Sequence, residues 1–318
     1  MPHSIETFLT QDPHAAAAYI RRGELAAFPT ETVYGLGADV FNQSAVQAIF
    51  EAKGRPADNP LIAHIAHTDQ LSSLVRTVTP IAGQLIEAFF PGPLTVILPA
   101  KPEVPSVVRA GLDTLAVRMP AHPLALEFLR ACDTPVAAPS ANRSGSPSPT
   151  TWEAVHQDLD GRIACILQGA RAQEGLESTV VDCTSDNPAV LRDGAIPIEA
   201  IQQVCTPVVR GEHAASQPAK SPGMKYRHYA PRANVVVVAA GDVPVPSPHA
   251  GFIGLSKPDA KGFGTVQTCE NVAQYAFELF HFFRTCDARG LKRIYCEAVP
   301  EAGLGNALMD RIRKAAAR

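Results

Sequence analysis

The sequence predicts an α/β protein made of two units, and three observations carry that prediction. Short apolar runs and amphipathic, helix-like segments are mixed without strict alternation across residues 1–210. A polar stretch bearing Pro and Gly follows at 211–232. A second, compact set of strands and helices then occupies 233–318.

Asp12 caps a helix, Pro13 suits its first turn, and Gly23 stops it. Leu25 to Phe28 reads as a buried strand. Asn42 or Ser44 caps a helix whose apolar face is Ala45, Val46, Ile49 and Phe50, with Gly54 as its C-terminal stop. Leu61 to Ile65 is the next strand. Thr79-Pro80 opens a helix that runs to Phe90. Leu94 to Leu98, Leu115 to Met119 and Val136 to Ala138 are strands, with a helix from His122-Pro123 between the last two. Further strands are expected at Ala164 to Leu167, Thr179 to Cys183 and Ala189 to Leu191. In the second unit, Val235 to Ala239, Phe252 to Leu255 and Arg293 to Cys296 are strands, and Val272 to Arg284 and Leu304 to Ala317 are helices. That order suggests a small open α/β sheet.

Composition narrows the class. The chain has 318 residues, 46% of them hydrophobic, and a net charge of -3, so it lacks the overall basic field of a dedicated nucleic-acid binder. Its 7 cysteines form no CxxC pair, and they read as buried thiols of a reducing compartment. Met1 to Gln11 has no basic, apolar leader and no segment is long enough to span a bilayer, so the expected location is cytoplasmic.

The candidate chemistry gathers at strand ends. Thr30, Glu31 and Thr32 follow a buried strand, and Gly35 and Gly37 permit close backbone approach, either to a ligand or within an ordinary hairpin. Lys53 and Arg55 either complement a helix dipole or bind an anion; the stiff loop through Pro56, Asn59 and Pro60 favours the anion. His64 lies within a strand. Arg118, amid apolar strand residues, requires a buried anionic partner, which is either an internal carboxylate or a substrate's. Ser140 and Asn142 sit nearest the end of another strand, and Glu177-Ser178-Thr179 and Arg192 are further polar groups at strand ends. The chain has no GxxxxGK[ST], no GxGxxG opening a helix, no HExxH and no GxSxG.

In order along the chain, Phe28-Pro-Thr-Glu-Thr-Val-Tyr-Gly-Leu-Gly37, Lys53-Gly-Arg-Pro56, Asn59-Pro-Leu61, Phe90-Pro-Gly-Pro-Leu-Thr95, Val117-Arg-Met-Pro120, Ala138-Pro-Ser-Ala-Asn142, Glu177-Ser-Thr-Val180 and Leu191-Arg-Asp-Gly194 resemble the Sua5/YrdC family. Ser221-Pro-Gly-Met-Lys-Tyr-Arg-His-Tyr-Ala-Pro231, Gly303-Leu-Gly305 and Asp310-Arg311 resemble its two-domain Sua5 type. The resemblance implies a YrdC-like twisted α/β domain with a large mixed sheet at 1–210. It also implies a linker at 211–232 that acts as a lid, and a small Rossmann-like α/β domain at 233–318.

The activity implied is synthesis of L-threonylcarbamoyladenylate from L-threonine, bicarbonate and ATP, with release of pyrophosphate, for N6-threonylcarbamoyladenosine in tRNA. Carried over, Thr32, His64, Arg118, Ala138 and Ser178 hold threonine. Lys53 and Arg55 are catalytic and, with Asn59, Thr114, Ser140, Asn142, Ser148, Arg192 and Tyr229 (Tyr226 as the lesser candidate), bind ATP and bicarbonate. Mg²⁺ is expected on the ATP phosphates, with no dedicated protein metal site. The product is expected to pass to a tRNA threonylcarbamoyltransferase, with at most a weak tRNA contact and none with a membrane. Glu31 has no role in this scheme. An RNA-binding module of the same fold is the alternative. A carbamoyl-transfer enzyme of hydrogenase maturation ranks lower, because the chain lacks the length and the CxxC pairs of those proteins.

Overall fold

A computed structural model describes residues 6–211, 229–242, 244–258 and 261–317. In the first unit the strands are β1 (Phe8–Thr10), β2 (Ala26–Phe28), β3 (Gly35–Asp39), β4 (Ile62–His64), β5 (Leu94–Pro99), β6 (Thr114–Arg118), β7 (Val136–Ala138), β8 (Cys165–Leu167), β9 (Thr179–Asp182), β10 (Ala189–Arg192) and β11 (Val209–Arg210). The helices are α1 (Pro13–Arg21), α2 (Gln43–Lys53), α3 (Leu71–Leu74), α4 (Pro80–Phe89), α5 (Ser106–Arg109), α6 (Pro123–Cys132), α7 (Trp152–Leu159) and α8 (Ile198–Val204). Among the described residues the strands form one 11-stranded mixed sheet in the order β1-β8-β2-β3-β7-β4-β6-β5-β9-β10-β11.

The same start signal recurs in three helices. Asp12, Thr79 and His122 cap α1, α4 and α6 through their side chains, and each is followed by a proline in the first turn. In α2 the cap is Asn42, which accepts from the Ala45 amide, and Gly54 closes the helix at φ 63°. Sequence periodicity gave no sign of β1, β3, α7 or α8. In β3, two glycines mask a strand that returns antiparallel beside β2. A Cβ on Gly37 would lie 2.7 Å from Val136 Cγ1, so this glycine serves strand packing.

The second unit contains β12 (Asn234–Val238), β13 (Ala250–Gly254), β14 (Thr265–Thr268), α9 (Val272–Ala288), β15 (Arg293–Glu297) and α10 (Leu304–Ala316). Its 4-stranded sheet runs β12-β15-β13-β14, all parallel. The strand β14 was not expected, and α9 continues to Ala288 instead of ending at Arg284. The seven cysteines are all free and buried.

The two units share one apolar cluster. Val33 and Leu176 of the first unit pack with Tyr275, Ala276 and Phe280 of α9 in a single buried group. Among the described residues three arginine–carboxylate pairs also cross between them: Arg171–Glu278 at 2.9 Å, Arg284–Asp158 at 2.8 Å and Arg311–Glu177 at 2.8 Å. Gly175 allows the approach. At φ 75° it sits so close to α9 that a Cβ would fall 2.4 Å from Phe277 Cα and 2.6 Å from the Ala276 carbonyl. Those are backbone atoms that cannot rotate away. Gly175→Ala is therefore expected to destabilise the folded chain by about 2 kcal/mol or more. Chemical denaturation of both proteins measures this, and an unchanged midpoint would contradict the close approach.

Candidate active site

Alternation along the strands places the polar side chains. Ala63 of β4, Leu94, Val96 and Leu98 of β5, Leu115 and Val117 of β6, and Val181 of β9 enter the main apolar core. The residues between them turn to the opposite face of the sheet. On that face α1 and α6 cover the part formed by β2, β7 and β8. Over β4, β5, β6 and β9 a floor of Ile62, Ile97, Ala116 and Val180 remains. His64, Thr95, Arg118 and Ser178 each lie two residues from one of these floor positions and so share the face. His64 and Arg118 are direct neighbours in the β4–β6 register.

A cavity of about 60 Å³ stands above this floor. By the same measure one water needs roughly 10–15 Å³, so the space suits a few waters or one small organic molecule. Its wall includes Thr32, His64, Arg118, Ala138 and Ser178, the five residues expected to hold threonine. Arg55, Ser140, Arg192 and Tyr229 of the expected nucleotide set line it as well. Lys53, Asn59, Asn142 and Ser148 lie buried behind the wall. Thr114 begins β6, opposite Pro99, at the far end of that strand from Arg118. Tyr226 and most of the expected lid lie outside the described residues.

Each polar group has a physical support. Arg118 Nη1 donates to Thr32 Oγ1 at 2.8 Å, and its Nη2 lies 2.7 Å from Glu31 Oε1. The buried anion that Arg118 required is thus Glu31, an internal carboxylate. Neither Glu31 oxygen accepts an aligned hydrogen bond, so the contact is ionic without being a well-formed bond. Thr30 Oγ1 donates to the Val33 carbonyl at 2.7 Å and lies 2.9 Å from Thr32 Oγ1, which therefore donates to it. Ser178 Oγ pairs with Thr95 Oγ1 at 2.8 Å and accepts from Arg192 Nη2 at 3.1 Å. His64 Nδ1 lies 3.1 Å from the Ile62 carbonyl and so carries the proton there. Burial and the nearby Arg118 charge push its pKa down to about 3.

The cations differ in where they act. Lys53 Nζ donates to the carbonyls of Ser140 and Asn142, so it organises that loop from behind. Burial, then the Arg55 charge, lower its pKa. Asn142 accepts from the Ser140 hydroxyl at 2.5 Å and donates to the Arg143 and Ser146 carbonyls, bracing the same loop. Arg55 faces the cavity. Its Nη2 donates to the Asn59 and Pro60 carbonyls, while its Nε and the Asn59 Oδ1 are buried without a hydrogen-bond partner. Burial lowers the Arg55 pKa to about 10, and Arg192 adds to that effect. Arg55, Arg118 and Arg192 share one wall, with Glu31 behind Arg118 and Glu177 as the wall's carboxylate. An anionic ligand would relieve this crowding of positive charge.

Two family models match the chain: one described as telomere recombination over residues 18–194, and the C-terminal domain of threonylcarbamoyl-AMP synthase over 196–317. A threonylcarbamoyl-AMP synthase of Pyrococcus abyssi is 46% identical, with 94% of this chain and 92% of that protein covered. This chain belongs to the Sua5 family of threonylcarbamoyl-AMP synthases. The Bacillus subtilis member is 43% identical over 96% of this chain and 94% of its own. The crystal structure of Pyrococcus abyssi Sua5 complexed with L-threonine superposes with a TM-score of 0.88 at 42% identity, covering 98% of this chain and 97% of that one.

Glu31, Thr30, Thr95 and Glu177 are the supporting residues that sequence reasoning left unassigned. A requirement for a carboxylate near Arg118 was the available signal, and it could not choose among the acidic residues. Arg118→Ala leaves Glu31 buried beside no cation and is expected to cost about 3–5 kcal/mol, much of it restored in Arg118→Ala/Glu31→Gln. Unfolding free energies of the two variants measure this, and no recovery would mean the pair is not the cause. His64 should stay uncharged at about pH 5, where an ordinary histidine is protonated. Because folding depresses its pKa, its contribution to stability is complete above pH 6.5 and is lost progressively as pH falls toward about 3. Imidazole chemical shifts by NMR test this, and a titration midpoint near 6.5 would overturn it.

Proposed function

We propose that this protein is an L-threonylcarbamoyladenylate synthase that joins L-threonine, bicarbonate and ATP, and that its product serves N6-threonylcarbamoyladenosine formation in tRNA. The observation that carries the reading is the convergence of Thr32, His64, Arg118, Ala138 and Ser178 on one cavity wall with Arg55 and Arg192. The cavity suits threonine in size. The nucleotide would extend from it past Ser140 and Tyr229.

The chemistry proceeds in two steps. The threonine amine attacks the carbon of bicarbonate or of the carbon dioxide derived from it. With bicarbonate, water leaves and a carbamate remains. A carbamate oxygen then attacks the α-phosphorus in line, the bond to the bridging oxygen breaks, and pyrophosphate departs with that electron pair. Arg118, set in place by Thr32, holds the threonine carboxylate. His64, uncharged, lines the same cavity beside Arg118. Arg55 offsets charge at phosphorus. Lys53 sets the Ser140–Asn142 loop on which the phosphates rest.

Among the described residues no cluster of three or more His, Cys, Asp or Glu side chains could hold a metal ion. Glu31 and Glu177 are each committed to an arginine. These residues do not form a cage for Mg²⁺, so in this proposal the ion arrives on the triphosphate and, when bound, screens its charge. Transfer of the product to a tRNA-modifying enzyme is part of the same proposal. No described helix is long and apolar enough to cross a membrane.

Pyrophosphate release should require threonine and bicarbonate together. Lys53→Ala and Arg55→Ala are each expected to lower it by about 100-fold or more with the fold retained by circular dichroism. Near-normal release in the Arg55 variant would place the anion site elsewhere. Tight binding of RNA in a filter assay, without threonine-dependent release, would replace this reading with the RNA-binding one.

A further inference from the structure

The last helix of the small unit, α10, sends one side chain against the back of the cavity wall. Arg311 is completely buried, at 0% exposure. Its Nε donates to Glu177 Oε2 at 2.8 Å and its Nη2 to the Asp193 carbonyl at 2.9 Å, while Nη1 bonds to the adjacent Asp310 at 2.5 Å. The guanidinium carbon also lies 5.2 Å from the centre of the Tyr229 ring. Glu177 and Tyr229 both line the cavity. Glu177 passes the contact on, since its other oxygen accepts from Ser148 Oγ at 2.6 Å. Tyr229 stacks on Phe280 of α9 at 5.3 Å and holds a left-handed backbone at φ 64°, a conformation that tyrosine adopts only when its surroundings impose it.

We infer that Arg311 is a positioning residue for the nucleotide end of the site, setting Glu177, Ser148 and Tyr229, so that the small unit completes the active-site wall. The inference rests on the synthase reading above. As a clasp between the units alone, this pair would be poorly placed. A fully buried ion pair returns little net stability against its desolvation, and the partly exposed Arg171–Glu278 pair already joins the units. Burial pushes the Glu177 carboxyl up, but Arg311, Arg192 and the Ser148 hydroxyl outweigh it and keep the carboxyl below its ordinary value. Glu177 is thus a fixed anion in a wall rich in arginine. The threonine end rests mainly on other groups: Arg118 on Glu31 and Thr32, and Ser178 on Thr95, with Arg192 the one side chain shared by both ends.

The test compares full-length wild type with Arg311→Ala, Arg311→Lys, Glu177→Gln and Arg171→Gln, measuring the KM for ATP in pyrophosphate release and threonine affinity by calorimetry. Arg311→Ala is expected to raise the KM for ATP about tenfold while threonine affinity stays within about twofold. Arg311→Lys keeps the charge without the fork and should shift the KM the same way by a smaller factor; it decides the matter if the alanine variant does not fold. Glu177→Gln breaks the pair from the other side and should give the same split between ATP and threonine. Arg171→Gln breaks a junction away from the cavity and should change neither value. An unchanged ATP KM in a folded Arg311 variant overturns the inference. So does an equal loss of threonine affinity, or the same ATP defect in Arg171→Gln. If the wild type shows no threonine-dependent release, the synthase reading fails at that point. Equilibrium binding of a non-hydrolysable ATP analogue then decides Arg311 alone: weakened binding sustains its role at an anion site, and unchanged binding removes it.

Discussion

A guanidinium taken out of water must be given anions or carbonyl oxygens, and four arginines here are taken out of water around a single cavity. Arg55, Arg118, Arg192 and Arg311 are all buried. Each is answered differently: Arg55 by the Asn59 and Pro60 carbonyls, Arg118 by Glu31 and Thr32, Arg192 by Ser178, and Arg311 by Glu177 and the Asp193 carbonyl. Much of the local architecture follows from meeting those demands. The turn between β2 and β3 carries the acid for Arg118, and the residues just before β9 supply the oxygens for Arg192 and the carboxylate for Arg311.

Period-two alternation makes this arrangement compatible with a stable sheet. The same strands that deliver Arg118, His64 and Thr95 to one face deliver leucines, valines and Ala63 to the other. A large apolar core can therefore lie one residue away from a polar cavity without conflict. The cavity lies on the part of that face which α1 and α6 leave uncovered, and the second unit lies against its rim.

Most of the element order could be read from the sequence because the signals were local. Cap–proline pairs started α1, α4 and α6, and apolar runs marked β5, β6 and β7 to within a residue. Signals that depend on tertiary packing were not legible. Gly35 and Gly37 disguise a strand, since their fitness for β3 comes from Phe28, Val136 and Ala138 packed against them. The cavity's residue types were visible as motifs, but their supports were not. Arg118 announced a partner without naming it, and Glu31 emerged as that partner only once the turn had folded over the sheet. Lys53 and Arg55 are two residues apart and looked equivalent; the end of α2 turns one behind the loop and the other toward the cavity. Arg311 lay 134 residues from Glu177 and gave no sign of belonging to the site.

The cysteines give the molecule a built-in record of its own opening. Cys132, Cys165, Cys183 and Cys205 are enclosed by the large unit, and Cys269, Cys286 and Cys296 by the small one. Burial pushes all of them above the ordinary thiol range, most to about 12 or beyond, so almost no thiolate is available at neutral pH. Enclosure and the scarcity of thiolate both slow attack by alkylating reagents and peroxide on the folded protein. Each becomes reactive when its own surroundings loosen, so the sequence in which the thiols are labelled would map the order in which the two halves come apart, with no foreign probe introduced.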